Sequence, residues 1–336
     1  MLQLKKRAAL RPAAERSGLE MPLRAALFRK IHTKGETTMS LLVLQGAVEQ
    51  GFIYALVALG LYISFRTLDI ADLTTDGTFT LGAAVSAVFT VQGQPLLGVV
   101  LAFFCGALAG FVTALLQTKL GVQPILAGII TMTALYSINL QIAGSNLMVE
   151  RAVDTIYTSA PVMALLGSVP LLYRKLIVSL VLVVLIGLVL EWYFSTKNGL
   201  LLRAVGDNDT LVTTLAVDKG SMKILGLVIA NALVALSGCI VCQEGRSFSA
   251  TMGTGQMVFG LAAVIIGTTL FRRMSFVKGT AAVVIGSILY KACIQIAILL
   301  GLPGNMLKFI TAALFLVILI TGNLSGRKGG ADRAGA

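Results

Sequence analysis

The stretch 176–194, LIVSLVLVVLIGLVLEWYF, decides the fold class, because a single charged residue, Glu191, interrupts its apolar run. The hydrocarbon core of a bilayer, about 30 Å thick, needs roughly 20 apolar residues in one helix. The stretch is therefore predicted to be a membrane-spanning helix. It lacks the strict alternation of a membrane barrel strand, so a helical bundle is expected.

Eight further apolar runs flank this stretch, and the nine runs together cover more than half of the 336 residues. Only 12% of all residues are charged and 57% are hydrophobic, which excludes a soluble enzyme and a disordered chain. We expect an all-α integral membrane protein of about nine transmembrane helices. The predicted spans are 41–64, 76–91, 97–117, 125–144, 176–194, 224–242, 256–271, 280–300 and 306–322.

Loop lysines and arginines predict the orientation. With the N-terminus of the first span outside, inner loops hold twelve Lys and Arg residues and outer loops hold four. The positive-inside rule favours this arrangement, with the C-terminus in the cytoplasm. Half of the net charge of +12 belongs to residues 1–38, and the other half marks the inner face. No nucleic acid is needed to explain the basic excess.

Residues 1–38 do not fit the charge pattern, since they contain nine Lys and Arg residues and no apolar core of a signal peptide. Codons for Lys34-Gly35-Glu36 can contain a ribosome-binding AGGAG just upstream of Met39. We expect translation to begin at Met39; the alternative is a mobile basic arm. The predicted organisation is a basic extension (1–38), a polytopic membrane domain (39–323) with a cytoplasmic loop (195–223), and a cytoplasmic tail (324–336).

Several catalytic motifs are missing from the sequence. No G-x-x-x-x-G-K-[ST] phosphate-binding loop occurs, and the sole histidine is His32, in the basic extension. Cys239 and Cys242 form a C-x-x-C within an apolar span, where small buried residues are the better interpretation. We therefore predict no catalytic residue, metal site or cofactor in this chain.

An acidic stretch, 65–77, links the first two predicted spans. Asp69, Asp72 and Asp76 are spaced three and four residues apart, so on a helix they would share one face. Asp72, Thr74, Thr75 and Asp76 are also good caps for the N-terminus of the second span. A role facing a passage is the alternative for part of this cluster, because carboxylates beside a bilayer are costly.

The cytoplasmic loop 195–223 predicts a short amphipathic helix between Gly206 and Gly220. The helix would begin at residues of the types that favour the N-cap position. Its apolar stripe would dock in a groove of another protein. The alternative is a helix that lies on the membrane surface. The cap residues are Asp207, Asn208 and Asp209, and the stripe contains Leu211, Val212, Leu215 and Ala216.

Two stretches, GLYISFRTLDIADLTTDGTFTLGAA (60–84) and NGLLLRAVGDN (198–208), resemble the permease subunits of bacterial ABC importers of the branched-chain amino acid and ribose type. The most similar subgroup is often assigned to tryptophan, tyrosine or unassigned substrates. The resemblance covers 41–322 and implies an inverted repeat, which the Gly-rich spacing of spans 2 and 7 supports only weakly. It also implies a location in the bacterial inner membrane.

The resemblance further implies partners. They are a second permease copy, ABC ATPase subunits that hold ATP and Mg, and an extracytoplasmic substrate-binding protein. A coupling helix within 198–219 would dock on the ATPase, with Arg203 and Asp207 beside it. An amino acid is the expected substrate, with a sugar or a nucleoside as alternatives. The outer loop 145–175 is the expected landing area for the binding protein.

Polar residues within the predicted spans are candidates for a substrate passage. Glu49 and Lys291 are two such candidates, and in one interpretation they pair with each other. In the passage-facing alternative, Lys291, Gln295 or both face the passage. Asn139 and Gln141 either face the passage or join helices by hydrogen bonds. An ion-gradient-driven transporter stays open as an alternative class, with Glu49 as its only support. Gly106-x-x-x-Gly110 predicts close helix packing.

Overall fold

A computed structural model describes residues 43–207, 218–271 and 278–299, and also 306, 309, 311–313, 315–317 and 320. Residues 47–336 belong to one unit, to which the contacts below belong. The described elements are α1 (Val43–Thr67, ending in the π-helical turn Tyr62–Thr67), α2 (Thr74–Val91), α3 (Pro95–Thr118), α4 (Pro124–Ala143), β1 (Asn146–Met148), α5 (Ala160–Leu166), α6 (Leu171–Ser195), α7 (Lys197–Asp207), α8 (Lys219–Gly245), β2 (Ser247–Ser249), α9 (Gln256–Leu270) and α10 (Gly279–Leu299).

Among the described residues, six helices are long and apolar enough to cross a bilayer, namely α1, α3, α4, α6, α8 and α10. Two shorter helices, α2 with 18 residues and α9 with 15, coincide with two more of the predicted runs. The ninth run, 306–322, is described only in part, at 306, 309, 311–313, 315–317 and 320. The all-α membrane fold is therefore confirmed, whereas the count of nine spans and the orientation remain predictions.

Helix α8 is the most enclosed of the six, and α2 and α3 pack along it. Small residues bring α3 close to α8: a Cβ added at Gly110 would lie 2.5 Å from the carbonyl oxygen of Leu227 and 2.8 Å from the Cβ of Asn231. Gly106, one turn earlier, meets the carbonyl oxygen of Asn231 in the same way. The close packing predicted from Gly106-x-x-x-Gly110 is confirmed.

The chain between α1 and α2 is not helical. The N–H of Leu68 still donates to Ile63 O across 3.0 Å, closing the π-helical turn, and Asp69 then adopts φ +55°. Helical structure resumes only at Thr74. The prediction that Asp69, Asp72 and Asp76 share one helix face is therefore wrong, because this break rotates the three side chains onto different surroundings.

A two-stranded antiparallel sheet joins the ends of two distant segments, with Leu147 opposite Phe248. The segment after β1 is tied to the end of α8, since Ile156 N–H donates to Gln243 Oε1 across 2.7 Å and Arg246 donates to Val153 O across 2.9 Å. Burial raises the pKa of the Tyr157 phenol in this segment. The predicted landing loop 145–175 is thus anchored to α8 at several points.

Candidate functional site

A buried polar network surrounds Asp72, which is fully enclosed. Its carboxylate accepts from the backbone N–H of Thr74 at 2.9 Å and from Asn231 Nδ2 at 2.7 Å. Thr78 Oγ1 in turn donates to Asn231 Oδ1 across 2.9 Å. Because both carboxylate oxygens have donors, Asp72 serves as a cap of α2 and as a bridge to α8. These contacts agree with the capping interpretation, and they leave neither oxygen of the carboxylate facing a passage.

Asp76 caps a different helix from the one expected. It lies in the first turn of α2, but its two oxygens accept from the N–H groups of Gly255 and Met257, each across 2.8 Å. These donors belong to the N-terminus of α9, whose dipole favours a carboxylate. Gly255 has φ +90°, a conformation that suits glycine at this turn. The expected cap of α2 by Asp76 is therefore corrected to a cap of α9.

A cavity of about 270 Å³ lies where α2, α4 and the segment before α9 meet. Its wall mixes a carboxylate, an amide and hydroxyl groups with an aromatic ring. Tyr136 and Thr133 are exposed, so the cavity opens on the outer face of α4. Its lining consists of Asp76, Gly77, Thr80, Met132, Thr133, Tyr136, Asn139, Ala250 and Thr254.

Asn139 supplies the most unusual group of the cavity. The side chain is fully buried, and its Nδ2 donates to Gly77 O across 3.2 Å. Its Oδ1 has no hydrogen-bond partner in the described part of the chain. A buried amide oxygen without a donor is costly, by about 1–3 kcal/mol, unless a ligand or water supplies one. Of the predicted passage residues, the structure thus brings Asp76 and Asn139 together at one cavity.

The other predicted passage residues lie elsewhere. Glu49 is buried and its Oε1 lacks a partner among the described residues, but Lys291 does not pair with it. Instead the Lys291 Nζ lies 3.3 Å from the centre of the Tyr54 ring, a cation–π contact. Gln295 is partly buried, whereas the side chains of Asp69 and Gln141 are exposed.

The predicted cytoplasmic loop, 195–223, contains a helix that the sequence analysis missed. Helix α7 begins at Lys197, before the predicted amphipathic segment, and buries Leu202 and Val205. Arg203 lies on this helix, with its guanidinium 4.6 Å from the centre of the Phe194 ring, and Asp207 is the last helical residue. The remaining predicted coupling residues, Asn208, Asp209, Leu211, Val212 and Leu215, lie outside the described residues.

Helix α8 follows with a well-formed N-cap at Asp218. The Ser221 hydroxyl donates to Asp218 Oδ2 across 2.7 Å, and the N–H of Gly220 donates to Oδ1 across 3.0 Å. These hydrogen bonds lower the pKa of the exposed Asp218 carboxyl. Leu202 of α7 meets Gly226 of α8 at close range, so α7 is fixed against the start of α8. The segment 208–217 therefore joins two helices that pack on each other.

Within the described ranges, no cluster of three His, Cys, Asp or Glu residues could hold a metal ion. The four cysteines are free thiols, with Cys239 and Cys242 buried, as expected for small packing residues. The chemistry that the structure offers is hydrogen bonding to a small ligand at an open cavity between membrane helices.

Apolar helices of spanning length around a cavity with a few polar groups in its wall are typical of a polytopic membrane protein that passes a solute. The chain belongs to the family described as branched-chain amino acid transport system / permease component, which matches residues 43–319. It is accordingly an ABC-type permease, a multi-pass membrane protein and a transport subunit.

Individual relatives agree with this family. The chain is 36% identical over 277 residues to the tyrosine transport system permease protein of Clostridioides difficile, covering 82% of this chain and 90% of the relative. It is 27% identical to the nucleoside ABC transporter permease protein NupC of Lactococcus lactis, covering 59% of this chain and 67% of the relative. It is 25% identical to the ribose import permease protein RbsC of Escherichia coli K12, covering 66% and 68%. No solved structure matches the chain.

Proposed function

We propose that this chain forms the passage of an ATP-driven importer of an amino acid in the bacterial inner membrane. The observation that carries the proposal is the cavity between α2 and α4, which is lined by Asp76 and by Asn139, whose buried Oδ1 has no hydrogen-bond partner among the described residues. The relative with the highest identity given above is named for tyrosine transport, which favours an amino acid over ribose or a nucleoside.

The cavity chemistry suits an amino acid. An ammonium group can donate to the free Oδ1 of Asn139 and lies in the field of the Asp76 carboxylate. The Tyr136 ring offers an aromatic surface to the side chain of such a substrate. A volume of about 270 Å³ suits a small solute rather than a peptide.

A second copy of the chain would complete the passage. The cavity opens on the face of α4 that exposes Ile129, Thr133 and Tyr136. An exposed apolar helix face in a membrane protein contacts either lipid or a second subunit. Polar groups in a cavity on such a face favour the second subunit, because lipid chains offer them no hydrogen bonds. A permease dimer would close the open side of the cavity and create one central passage.

ATP binding and hydrolysis would belong to a separate ATPase that docks on the segment between α7 and α8. The chain has no phosphate-binding loop of its own. Because Leu202 fixes α7 against α8, and α8 packs along α2, a push on this segment would reach the cavity wall through rigid helices. A substrate-binding protein would deliver the solute at the segment that follows β1.

Reconstitution in vesicles tests this function. Permease, ATPase and binding protein are assembled together, and uptake of radiolabelled tyrosine, ribose and a nucleoside is compared with and without ATP. We expect uptake of the amino acid only when ATP is present on the side of the membrane where the ATPase is bound. Uptake of ribose or nucleoside alone would reject the substrate class, and uptake that ignores ATP would reject the mechanism.

A second candidate function is an ion-gradient-driven transporter. The buried Glu49 carboxylate supports it, because a carboxylate with an unpartnered oxygen can exchange protons. Vesicles that contain the permease but no ATPase separate the two mechanisms. An imposed proton or sodium gradient drives uptake only under the second candidate, and Glu49→Gln would then abolish it.

A further inference from the structure

A second polar cavity, of about 240 Å³, lies apart from the passage, where α1, α7 and α10 meet. Two arginines face it, Arg66 from the π-helical end of α1 and Arg203 from α7. Among the side chains that the structure describes, which do not include that of Asp207, neither guanidinium has a carboxylate partner. The full lining is Tyr62, Arg66, Thr67, Arg203 and Gly279.

Aromatic packing holds one arginine in place. The guanidinium of Arg203 stacks on the Phe194 ring, 4.6 Å from its centre, and Phe194 packs edge-on against Tyr62, with 6.1 Å between the ring centres. The stacked guanidinium keeps its N–H donors for a ligand in the plane of the fork. Stacking therefore fixes the position of Arg203 without neutralising its charge.

The surrounding charges leave the cavity positive. Glu191 of α6 approaches the start of α10, where its oxygens accept from Thr280 Oγ1 at 2.5 Å and pair with Lys278 Nζ at 3.4 Å. Asp69, beyond the end of α1, is exposed and does not line the cavity. Lys278, the residue before Gly279, is balanced by this ion pair with Glu191, so the positive charge of the cavity comes from the two arginines.

The first turn of α10 borders the cavity as well, through Gly279. Gly279 is the first residue of this 21-residue helix, and the carbonyl of Lys278 accepts from Ala282 N across 3.0 Å as the helix begins. The first N–H groups of a helix have no partner within it and carry the positive end of the dipole. Two guanidinium groups and a helix N-terminus converge on one cavity, which is a suitable set for a phosphate.

We propose that this cavity binds the phosphate of an anionic phospholipid. A lipid fits better than a soluble phosphate because the neighbouring surface is apolar and exposed: Trp192, next to Glu191, is 71% exposed, and Leu200, on α7 before Arg203, is 56% exposed. Tryptophan is enriched where lipid headgroups meet acyl chains, and basic pockets between membrane helices recognise anionic headgroups. The site holds the junction of α1, α7 and α10 to one leaflet.

Native mass spectrometry of the full-length protein tests the proposal, using phosphatidylglycerol and phosphatidylcholine of identical acyl chains in equal amounts. Each arginine near the phosphate should raise the retention of phosphatidylglycerol relative to phosphatidylcholine about fivefold. We expect wild-type protein to retain phosphatidylglycerol at least about tenfold over phosphatidylcholine. The Arg66→Gln/Arg203→Gln variant should retain both lipids about equally, and each single variant should fall between.

Lys197→Gln is the matched control, because it removes an exposed charge from the same helix but does not line the cavity. It should keep the wild-type lipid ratio. An unchanged ratio in the double variant overturns the proposal; if that variant does not fold, the single variants decide in the same way. Displacement of phosphatidylglycerol by millimolar inorganic phosphate would assign the site to a soluble anion instead. Loss of the co-purified ATPase with an unchanged lipid ratio would assign the arginines to that partner.

Discussion

The carboxylate of Asp76 lies 2.8 Å from the backbone nitrogen of Met257, 181 residues further along the chain. This contact fixes the start of α9 against the first turn of α2. Because Asp76 also lines the cavity between α2 and α4, the wall of that cavity and the position of α9 are mechanically connected. A movement of either short helix would change the shape of the cavity.

Asp76→Asn should weaken this connection. An amide keeps one acceptor oxygen but loses the negative charge that the helix N-terminus favours, so we expect a loss of about 1–2 kcal/mol in stability. The unfolding midpoint of the purified protein in detergent measures the loss. Asp69→Asn is the matched control, since Asp69 is exposed at φ +55°, which asparagine adopts readily. Equal midpoints for the two variants would contradict the capping role.

Asp72 and Asn231 should show strong energetic coupling. Their hydrogen bond of 2.7 Å is buried and involves a charged acceptor, for which the contribution is about 1.5–3 kcal/mol. A double-mutant cycle with Asp72→Ala and Asn231→Ala measures it. We expect each single variant to lose more than half of the stability lost by the pair. Additive losses would show that the two residues act independently and that the network does not join α2 to α8.

Gly110→Ala should separate α3 from α8. The added Cβ would lie 2.5 Å from the carbonyl oxygen of Leu227, which is backbone and cannot move aside. Overpacking of this kind costs about 1–3 kcal/mol. Gly187→Ala on α6 is the control, because a Cβ there meets nothing within 4 Å. Alanine is the better helix former, so this control should be neutral or stabilising. A stable Gly110→Ala variant would mean that the close contact is not required.

Much of the scaffold could be predicted from the sequence. The apolar run 176–194 covers α6 except for its first five residues and its last one, and Gly106 with Gly110 correctly indicated a close helix pair. Both are local signals: apolar length sets a span, and small residues one turn apart leave a groove. The capping role of Asp72 was likewise readable, because its partner Thr74 is two residues away.

The remaining features depend on contacts that no local pattern encodes. Asp76 was expected to cap its own helix, but the N–H groups it meets come from a segment that folds back after β2. Asn139 and Gln141 could not be distinguished from sequence, since both are polar residues in one apolar span. The structure buries the first at the cavity and exposes the second. Helix α7 was missed because its first residues, Lys197 to Gly199, are typical of a loop.

The difference between Asn139 and Gln141 provides the most direct test of the passage. In vesicles that contain permease, ATPase and binding protein, ATP-driven uptake of tyrosine is measured for Asn139→Leu and Gln141→Leu. Loss of one buried hydrogen-bond partner for the solute corresponds to about a tenfold fall in uptake efficiency. The account predicts this fall for Asn139→Leu and near wild-type uptake for Gln141→Leu. Wild-type uptake in both variants, or equal losses in both, would contradict it.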